Sequence, residues 1–215
     1  MLIDGRGVAA DPVQGLEWLR KSAKQGTAVA QDNMGEVLAY GRGGIAKDLR
    51  AAVEWFEKAA EQGLAEAQRH LGELHYFGAE DFPRDHAEAA KWFRLAAEQN
   101  DPPAQNALGV LHEHGWGGAT GDAAEAVQWF RKAAEAGDRK AQSNLGRLYS
   151  TGHGVERDPV QAYAWLSMAA AKGEVTAANA LEDFVKGLTR EQIAEGKRAA
   201  DEHRARSQQA AQQPR

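Results

Sequence analysis

The sequence contains no cysteine, which excludes disulfide bonds and metal sites built on thiolates. It also has no uninterrupted apolar run long enough to cross a bilayer, so we expect no membrane insertion. An excess of positive charge is missing as well, because the formal net charge is -5. Nucleic acids and anionic membranes are bound through basic faces, so neither is an expected partner. No signal peptide is visible at the start, MLIDGRG, which lacks a basic stretch followed by an apolar core.

Tryptophan marks an internal repeat. Five of the six tryptophans are 37, 37, 37 and 36 residues apart: Trp18, Trp55, Trp92, Trp129 and Trp165. A fixed period between 20 and 50 residues is the signature of a solenoid, because each unit buries its apolar face against its neighbours. We therefore interpret the repeated tryptophans as core residues and expect Trp92 to be buried between neighbouring hairpins.

One helix of each repeat is bounded by capping residues. An aspartate, which accepts hydrogen bonds from free N–H groups at a helix start, precedes each repeated tryptophan by seven residues: Asp11, Asp48, Asp85, Asp122 and Asp158. A residue that tolerates the left-handed turn at a helix end follows each tryptophan by eight: Gly26, Gly63, Asn100, Gly137 and Gly173. The residues between cap and stop carry an apolar stripe with helical spacing.

The other half of each repeat predicts a second helix with an internal glycine. A glycine inside a helix costs about 1 kcal/mol relative to alanine, yet it recurs at Gly35, Gly72, Gly109 and Gly146. We interpret these glycines as points where a neighbouring helix approaches closely, beneath a tryptophan. The expected fold is all-α, a right-handed superhelical solenoid of antiparallel helix–turn–helix repeats of 36–37 residues.

The repeat pattern also predicts the domain organisation. The solenoid covers residues 1–188, Thr189 and Gln192 form a capping box that opens a capping helix at 189–206, and residues 207–215 are expected to be a disordered tail. Within the solenoid we expect a partial first repeat at 1–26, full repeats at 27–63, 64–100, 101–137 and 138–173, and the start of a terminal cap at 174–188.

The first repeat is expected to lack a helix. The segment Gly5-Arg6-Gly7-Val8 matches the interhelical loop Gly152-His153-Gly154-Val155. The chain would then begin at the end of an absent first helix, as a fragment of a longer protein or as a half repeat. We expect Trp18 and Leu19 to be poorly covered on their inner face.

These motifs closely resemble the Sel1-like repeat family, a relative of the tetratricopeptide repeats. The best match runs from Ala141-Gln142 through Asp158 and Trp165 to Gly173, and the resemblance covers roughly residues 1 to 185. It implies a bacterial adaptor, scaffold or inhibitor that holds a partner protein or peptide on its concave face and uses no cofactor. The bacterial cytoplasm, the periplasm and secretion all stay open as its location.

The partner-binding face is predicted from helix geometry and from the analogy with tetratricopeptide proteins. Positions spaced by 3, 4 and 3 residues on the first helix of each hairpin point away from the apolar stripe. We call the residues that share one repeat position a column. The columns on this face vary between repeats while the core columns do not, although a merely solvated surface would also vary. The residues selected on this basis are Asp32, Glu36, Arg69, Glu73, Tyr76, Asn106, Val110, Glu113 and Arg147.

Tyr76 and Arg69 are the expected anchors, because aromatic and arginine side chains dominate interface energies. Both are predicted to face solvent in the free protein. Glu73 and Glu113 add negative charge, so the sequence favours a partner segment with a basic residue beside an apolar one. Trp116, the tryptophan outside the period, lies in a predicted loop and either contacts a partner or covers the edge of a hairpin.

We find no catalytic or metal site in the sequence. His75 and His112 occupy the repeat position of Tyr149 and are predicted to pack there, and no spacing of histidines and carboxylates suits a metal. Two alternatives to a binding module stay open. One is a β-lactam-binding or hydrolysing enzyme, as linked to some cysteine-rich relatives, against which the absence of cysteine and of an S-x-x-K arrangement speaks. The other is a structural spacer in a longer protein.

Overall fold

The computed structural model describes residues 12–79, 82–119 and 121–212, and within them the chain is all-α, with eleven α-helices. Two compact units make up the chain, Met1–Gln99 and Asn100–Arg215. The predicted all-α class, built from helix hairpins, is confirmed.

The first unit contains five helices of 13 residues each, and consecutive helices pack against each other. In chain order they are α1 (Pro12–Lys24), α2 (Ala28–Tyr40), α3 (Leu49–Glu61), α4 (Ala65–Phe77) and α5 (His86–Glu98). We call α2 and α4 the first helices of their hairpins, and α3 and α5 the second helices.

The second unit continues the same pattern and ends on a longer helix. Its first helices are α6 and α8, its second helices are α7 and α9, and a short 3-10 segment, Val185–Gly187, separates the last two helices. The bounds are α6 (Pro102–His114), α7 (Ala123–Glu135), α8 (Arg139–Thr151), α9 (Pro159–Ala171), α10 (Val175–Phe184) and α11 (Arg190–Gln212).

The predicted caps and stops of the helices that carry the repeated tryptophans are confirmed wherever the structure describes them. Asp48, Asp85, Asp122 and Asp158 each accept hydrogen bonds from first-turn N–H groups at 2.8–3.3 Å. The remaining predicted cap, Asp11, lies outside the described residues, as does the segment from Gly5 to Val8. All five predicted stop residues have φ between 63° and 96°, the left-handed conformation that favours glycine: Gly26, Gly63, Asn100, Gly137 and Gly173.

The core is built differently from the prediction. The helix glycines do not lie beneath the tryptophans but against the residue that follows each one. A Cβ atom added to Gly72 would lie 2.6 Å from the ring of Phe93, too close for any real contact. The same arrangement pairs Gly35 with Phe56, Gly109 with Phe130 and Gly146 with Leu166.

The repeated tryptophans lie at the edge of the core because they precede these residues by one position, about 100° around a helix. Trp92 is only partly buried and packs against the apolar cluster of the preceding hairpin. The prediction that Trp92 is buried was therefore wrong, and Phe93 takes that place. Trp18 is 59% exposed, as predicted, whereas Leu19 packs against the cluster that contains Ala23 and Met34.

Trp165 is the exception among the tryptophans, since it is only 2% exposed. The covering element is α11, which packs along α9 and stacks His203 on the Trp165 ring at 4.1 Å. The predicted capping box is confirmed: Thr189 N–H donates to Gln192 Oε1 at 3.0 Å, and Gln192 N–H donates to Thr189 Oγ1 at 3.2 Å.

The last helix extends past its predicted end at residue 206. It continues to Gln212, so residues 207–212 are helical and not a disordered tail. Ser207 helps to hold this extension, because its Oγ donates to the backbone oxygen of Glu135 at 2.8 Å. Residues 213–215 lie outside the part of the chain that the structure describes.

Candidate partner-binding face

We call the positions predicted above to bind a partner the groove positions. In the first unit, those of α2 and α4 form a polar network around His70. The His70 ring lies between two predicted groove residues: Nδ1 is 2.8 Å from Asp32 Oδ1, and Nε2 is 3.3 Å from Arg69 Nη2. Asp32 and His70 are both buried. Each ring nitrogen thus has a polar partner, as a buried imidazole requires.

Arg69 is also less accessible than predicted. Its guanidinium donates from Nη1 to Glu73 Oε1 at 2.8 Å, and its side chain is only 19% exposed. Glu36 lies at the edge of the same network, with one carboxylate oxygen 4.0 Å from His70 and the other 4.0 Å from Arg42. The solvent-facing anchor predicted at Arg69 is in fact part of a paired, half-buried cluster.

Tyr76 is half-buried as well, which corrects the second predicted anchor. Its ring lies 4.9 Å from that of Phe77, 5.2 Å from that of His86 and 6.3 Å from that of Phe93. Burial raises the pKa of the Tyr76 hydroxyl above its ordinary value, and the nearby Arg84 charge acts in the opposite direction. Two of these rings, those of His86 and Phe93, belong to α5, which packs against α4.

In the second unit, the groove positions are paired in a similar way. Asn144 donates to Asn106 at 3.0 Å, and Arg147 Nη2 lies 2.7 Å from both carboxylate oxygens of Glu113. Val110 packs against the apolar cluster of this unit instead of standing free. The face is therefore more covered than the sequence predicted, because adjacent first helices contact each other through these columns.

The sequence patterns used above do not indicate His70. It follows Asp32 by 38 residues, and Asn144 follows Asn106 by the same interval at the same repeat positions. A search for polar residues 38 positions apart would have indicated both pairs, because this spacing connects neighbouring first helices.

A cavity of about 230 Å³ opens beside the network in the first unit. Tyr40 and Phe77, the last residues of α2 and α4, border it and are 59% and 67% exposed. Its other lining residues are Ala39, Lys47, Leu49, Phe56, His70, Glu73, Leu74, Gly78 and Ala79. Both aromatic residues occupy one repeat position, 37 residues apart, and Phe77 directly follows the predicted anchor Tyr76.

His75 and His112 pack as predicted, whereas both alternatives for Trp116 stay predictions. Trp116 lies in a loop of the second unit, is exposed and stacks on the His114 ring at 4.4 Å. His112 is buried, with Nδ1 3.3 Å from Glu125 Oε2. His75 packs on the Phe82 ring at 4.9 Å, and burial lowers its pKa.

Two kinds of feature are missing from the described part of the chain. It brings no three histidine or carboxylate side chains together in a way that could hold a metal ion. None of its helices has both the length and the apolar character needed to cross a membrane.

The fold is similar to those of several solved bacterial structures. A protective antigen of uropathogenic Escherichia coli strains shares 35% identity over all of this chain, with a TM-score of 0.86, and a Sel1 repeat protein of Oxalobacter formigenes shares 32% over 98%, with a TM-score of 0.81. The chain spans 47% of the antigen and 84% of the Oxalobacter protein. An immunity protein of Pseudomonas aeruginosa, 18% identical over 94% of this chain and matched over 75% of its own, shares the fold with a TM-score of 0.56.

No curated protein has a significant match to this chain. The model of the Sel1 repeat matches five consecutive segments, each ending one residue after the repeat boundary expected from the tryptophan spacing: 1–27, 28–64, 65–101, 102–138 and 139–174. With these five repeats, and with two solved relatives above 30% identity, the chain belongs to the Sel1 repeat family.

Proposed function

We propose that this chain is a protein-interaction module that binds a segment of a partner protein on the face formed by α2 and α4, the first helices of its first unit. Sel1 repeats are commonly modules of this kind, which supports the proposal. The observation that carries it is the pair of exposed aromatic residues, Tyr40 and Phe77, on either side of a cavity in the first unit. We assign the chain no catalytic step.

The exposed aromatic pair favours binding over a purely structural role. Single exposed apolar side chains are ordinary on protein surfaces. Tyr40 and Phe77, however, recur at one repeat position and border a cavity whose floor includes Leu49 and Leu74. Aromatic side chains beside a concave apolar surface are the residues in which interface energy concentrates.

The polar network supports the proposal in a different role from the one predicted. Asp32 is buried and bonded to His70 through Oδ1, and breaking a buried polar pair costs about 1–3 kcal/mol. Arg69 and Glu73 are likewise paired with each other. We propose that these residues fix the positions of α2 and α4, and thereby hold the cavity open, while Tyr40 and Phe77 make the contact.

Site-specific photo-crosslinking tests this function. A photoreactive phenylalanine analogue would replace Phe77 in one variant and Leu95, an exposed residue on α5, in the other. Crosslinking in the native bacterial host, followed by mass spectrometry, should identify a reproducible partner protein from position 77 and none from position 95. Equal adducts from both positions, or none from either, would contradict a binding site at this face.

A further inference from the structure

We infer that the cavity between Tyr40 and Phe77 receives one large apolar side chain of a partner peptide, and that Lys47 selects an acidic residue beside that side chain. This inference rests on the proposed function and names the chemistry of the segment that the first unit recognises.

The size of the cavity fits one side chain. Its volume of about 230 Å³ is below the roughly 300–1,000 Å³ of sites that enclose a whole small molecule. Leu49 and Leu74 supply apolar lining, and the Tyr40 and Phe77 rings stand exposed at its border. An aromatic or large aliphatic side chain would cover both rings and exclude water from the lining.

The charge available at the cavity is positive. Its described lining includes one histidine, one carboxylate and one lysine: His70, Glu73 and Lys47. His70 is held by Asp32, and Glu73 accepts from Arg69. Among the residues that the structure describes, Lys47 forms no ion pair or side-chain hydrogen bond, and it is exposed. A carboxylate beside the apolar anchor would therefore meet a positive charge that, among the described lining residues, is still uncompensated.

This assignment reverses the charge expected from the sequence. The sequence favoured a basic partner residue because of Glu73 and Glu113, but both carboxylates are already neutralised, by Arg69 and by Arg147. An exposed ion pair contributes little affinity, so the carboxylate would change binding by no more than about fivefold. The apolar side chain supplies most of the affinity, and Lys47 supplies selectivity.

Peptide selection tests the inference with a defined probe. A phage library of random 12-residue peptides would be panned on the immobilised full chain, on its Lys47→Glu variant and on a Lys24→Glu control, which changes an exposed lysine on α1. We expect the wild-type and control chains to enrich peptides with a large apolar residue next to aspartate or glutamate. The Lys47→Glu chain should instead enrich lysine or arginine at that place.

A second variant separates the cavity from any other peptide site. Synthetic versions of the enriched peptides, measured by fluorescence anisotropy, should bind Phe77→Ala more than tenfold more weakly than wild type, while circular dichroism shows unchanged helicity. Peptides that lack an acidic preference, or whose preference survives Lys47→Glu, overturn the inference. They do not bear on the proposed function, which the crosslinking experiment tests separately. Enrichment no better than on a surface without protein also overturns the inference.

Discussion

In the first unit the last residue of each first helix is aromatic, Tyr40 in α2 and Phe77 in α4, whereas in the second unit the same repeat positions hold His114 and Thr151. Tyr40 and Phe77 are exposed beside a cavity. His114 instead stacks on Trp116, and the Thr151 hydroxyl donates to the backbone oxygen of Arg147 at 3.1 Å. The helix-end side chains of both units thus make contacts within the chain, since Phe77 meets the Tyr76 ring and Arg42 lies over the Tyr40 ring, but those of the first unit also border a cavity.

Beneath this difference the two units share one core. The first helix of each hairpin presents a glycine to a large apolar side chain of the second helix, Phe56 and Phe93 in the first unit and Phe130 and Leu166 in the second. All four side chains are buried. The comparison indicates that packing fixes the inner columns of the repeat, while the columns at the helix ends are free to specialise.

The largest expected effect tests the shared core. Phe93→Ala and Phe130→Ala should each reduce the free energy of unfolding by about 3–5 kcal/mol, because a fully buried phenylalanine leaves a cavity when truncated. Trp92→Ala and Trp129→Ala should cost less, since these tryptophans are only partly buried. Urea denaturation followed by circular dichroism measures all four. If either tryptophan variant loses more free energy of unfolding than the variant of its neighbouring phenylalanine, the tryptophans and not the phenylalanines form the core.

A somewhat smaller effect tests the contact between glycine and phenylalanine. Gly72→Ala should destabilise the protein by about 1–3 kcal/mol, because its Cβ would overlap the Phe93 ring. Gly187→Ala is the matched control, since a Cβ at that position would meet nothing within 4 Å. The same denaturation experiment compares them. Alanine tolerated equally at both positions would mean that the helices are not in close contact at Gly72.

The smallest expected effect is a pH dependence in the second unit. Burial against Trp165 and α9, together with the nearby Arg206 charge, lowers the pKa of His203 below its ordinary value of 6.5. The unfolded chain therefore binds a proton more readily than the folded chain does. The contribution of His203 to stability is intact above pH 6.5 and is lost as the pH falls below it.

Thermal unfolding at pH 7.5 and pH 5.5 measures this dependence. Because burial also lowers the pKa of His75, wild type should lose stability at the lower pH through both histidines. His203→Gln should reduce the loss, since glutamine does not titrate and can still bond Gln161. A parallel change at His153, an exposed loop residue, should leave it unaltered. Identical pH profiles for wild type and His203→Gln would remove His203 from the explanation.

The boundaries of the helices could be predicted from the sequence because they depend on local chemistry. Asp48 caps a helix through hydrogen bonds within its own first turn, and Asn100 is the sole described residue other than glycine with positive φ, as its repeat position required. The caps Asp101 and Asp138 on the first helices were missed, although their chemistry is the same. They do not stand seven residues before a repeated tryptophan, as the predicted caps do.

Contacts between helices were harder to predict. The repeated glycines correctly indicated close packing, but the partner differs between Trp92 and Phe93 by one residue on the facing helix. Periodicity alone does not determine that rotation. Likewise, Asp32 and Arg69 looked solvent-facing on an isolated helix, and only the position of the neighbouring helix shows that His70 comes between them.

The most direct test compares the two units at the last residue of a first helix, Phe77 in α4 and His114 in α6. With the partner segment from crosslinking in hand, calorimetric titration would measure its affinity for wild type, Phe77→Ala and His114→Ala. We predict that Phe77→Ala weakens binding more than tenfold, over about 1.4 kcal/mol, and that His114→Ala changes it by less than about twofold. Equal affinities for the two variants, or a greater loss from His114→Ala, would contradict a binding site in the first unit.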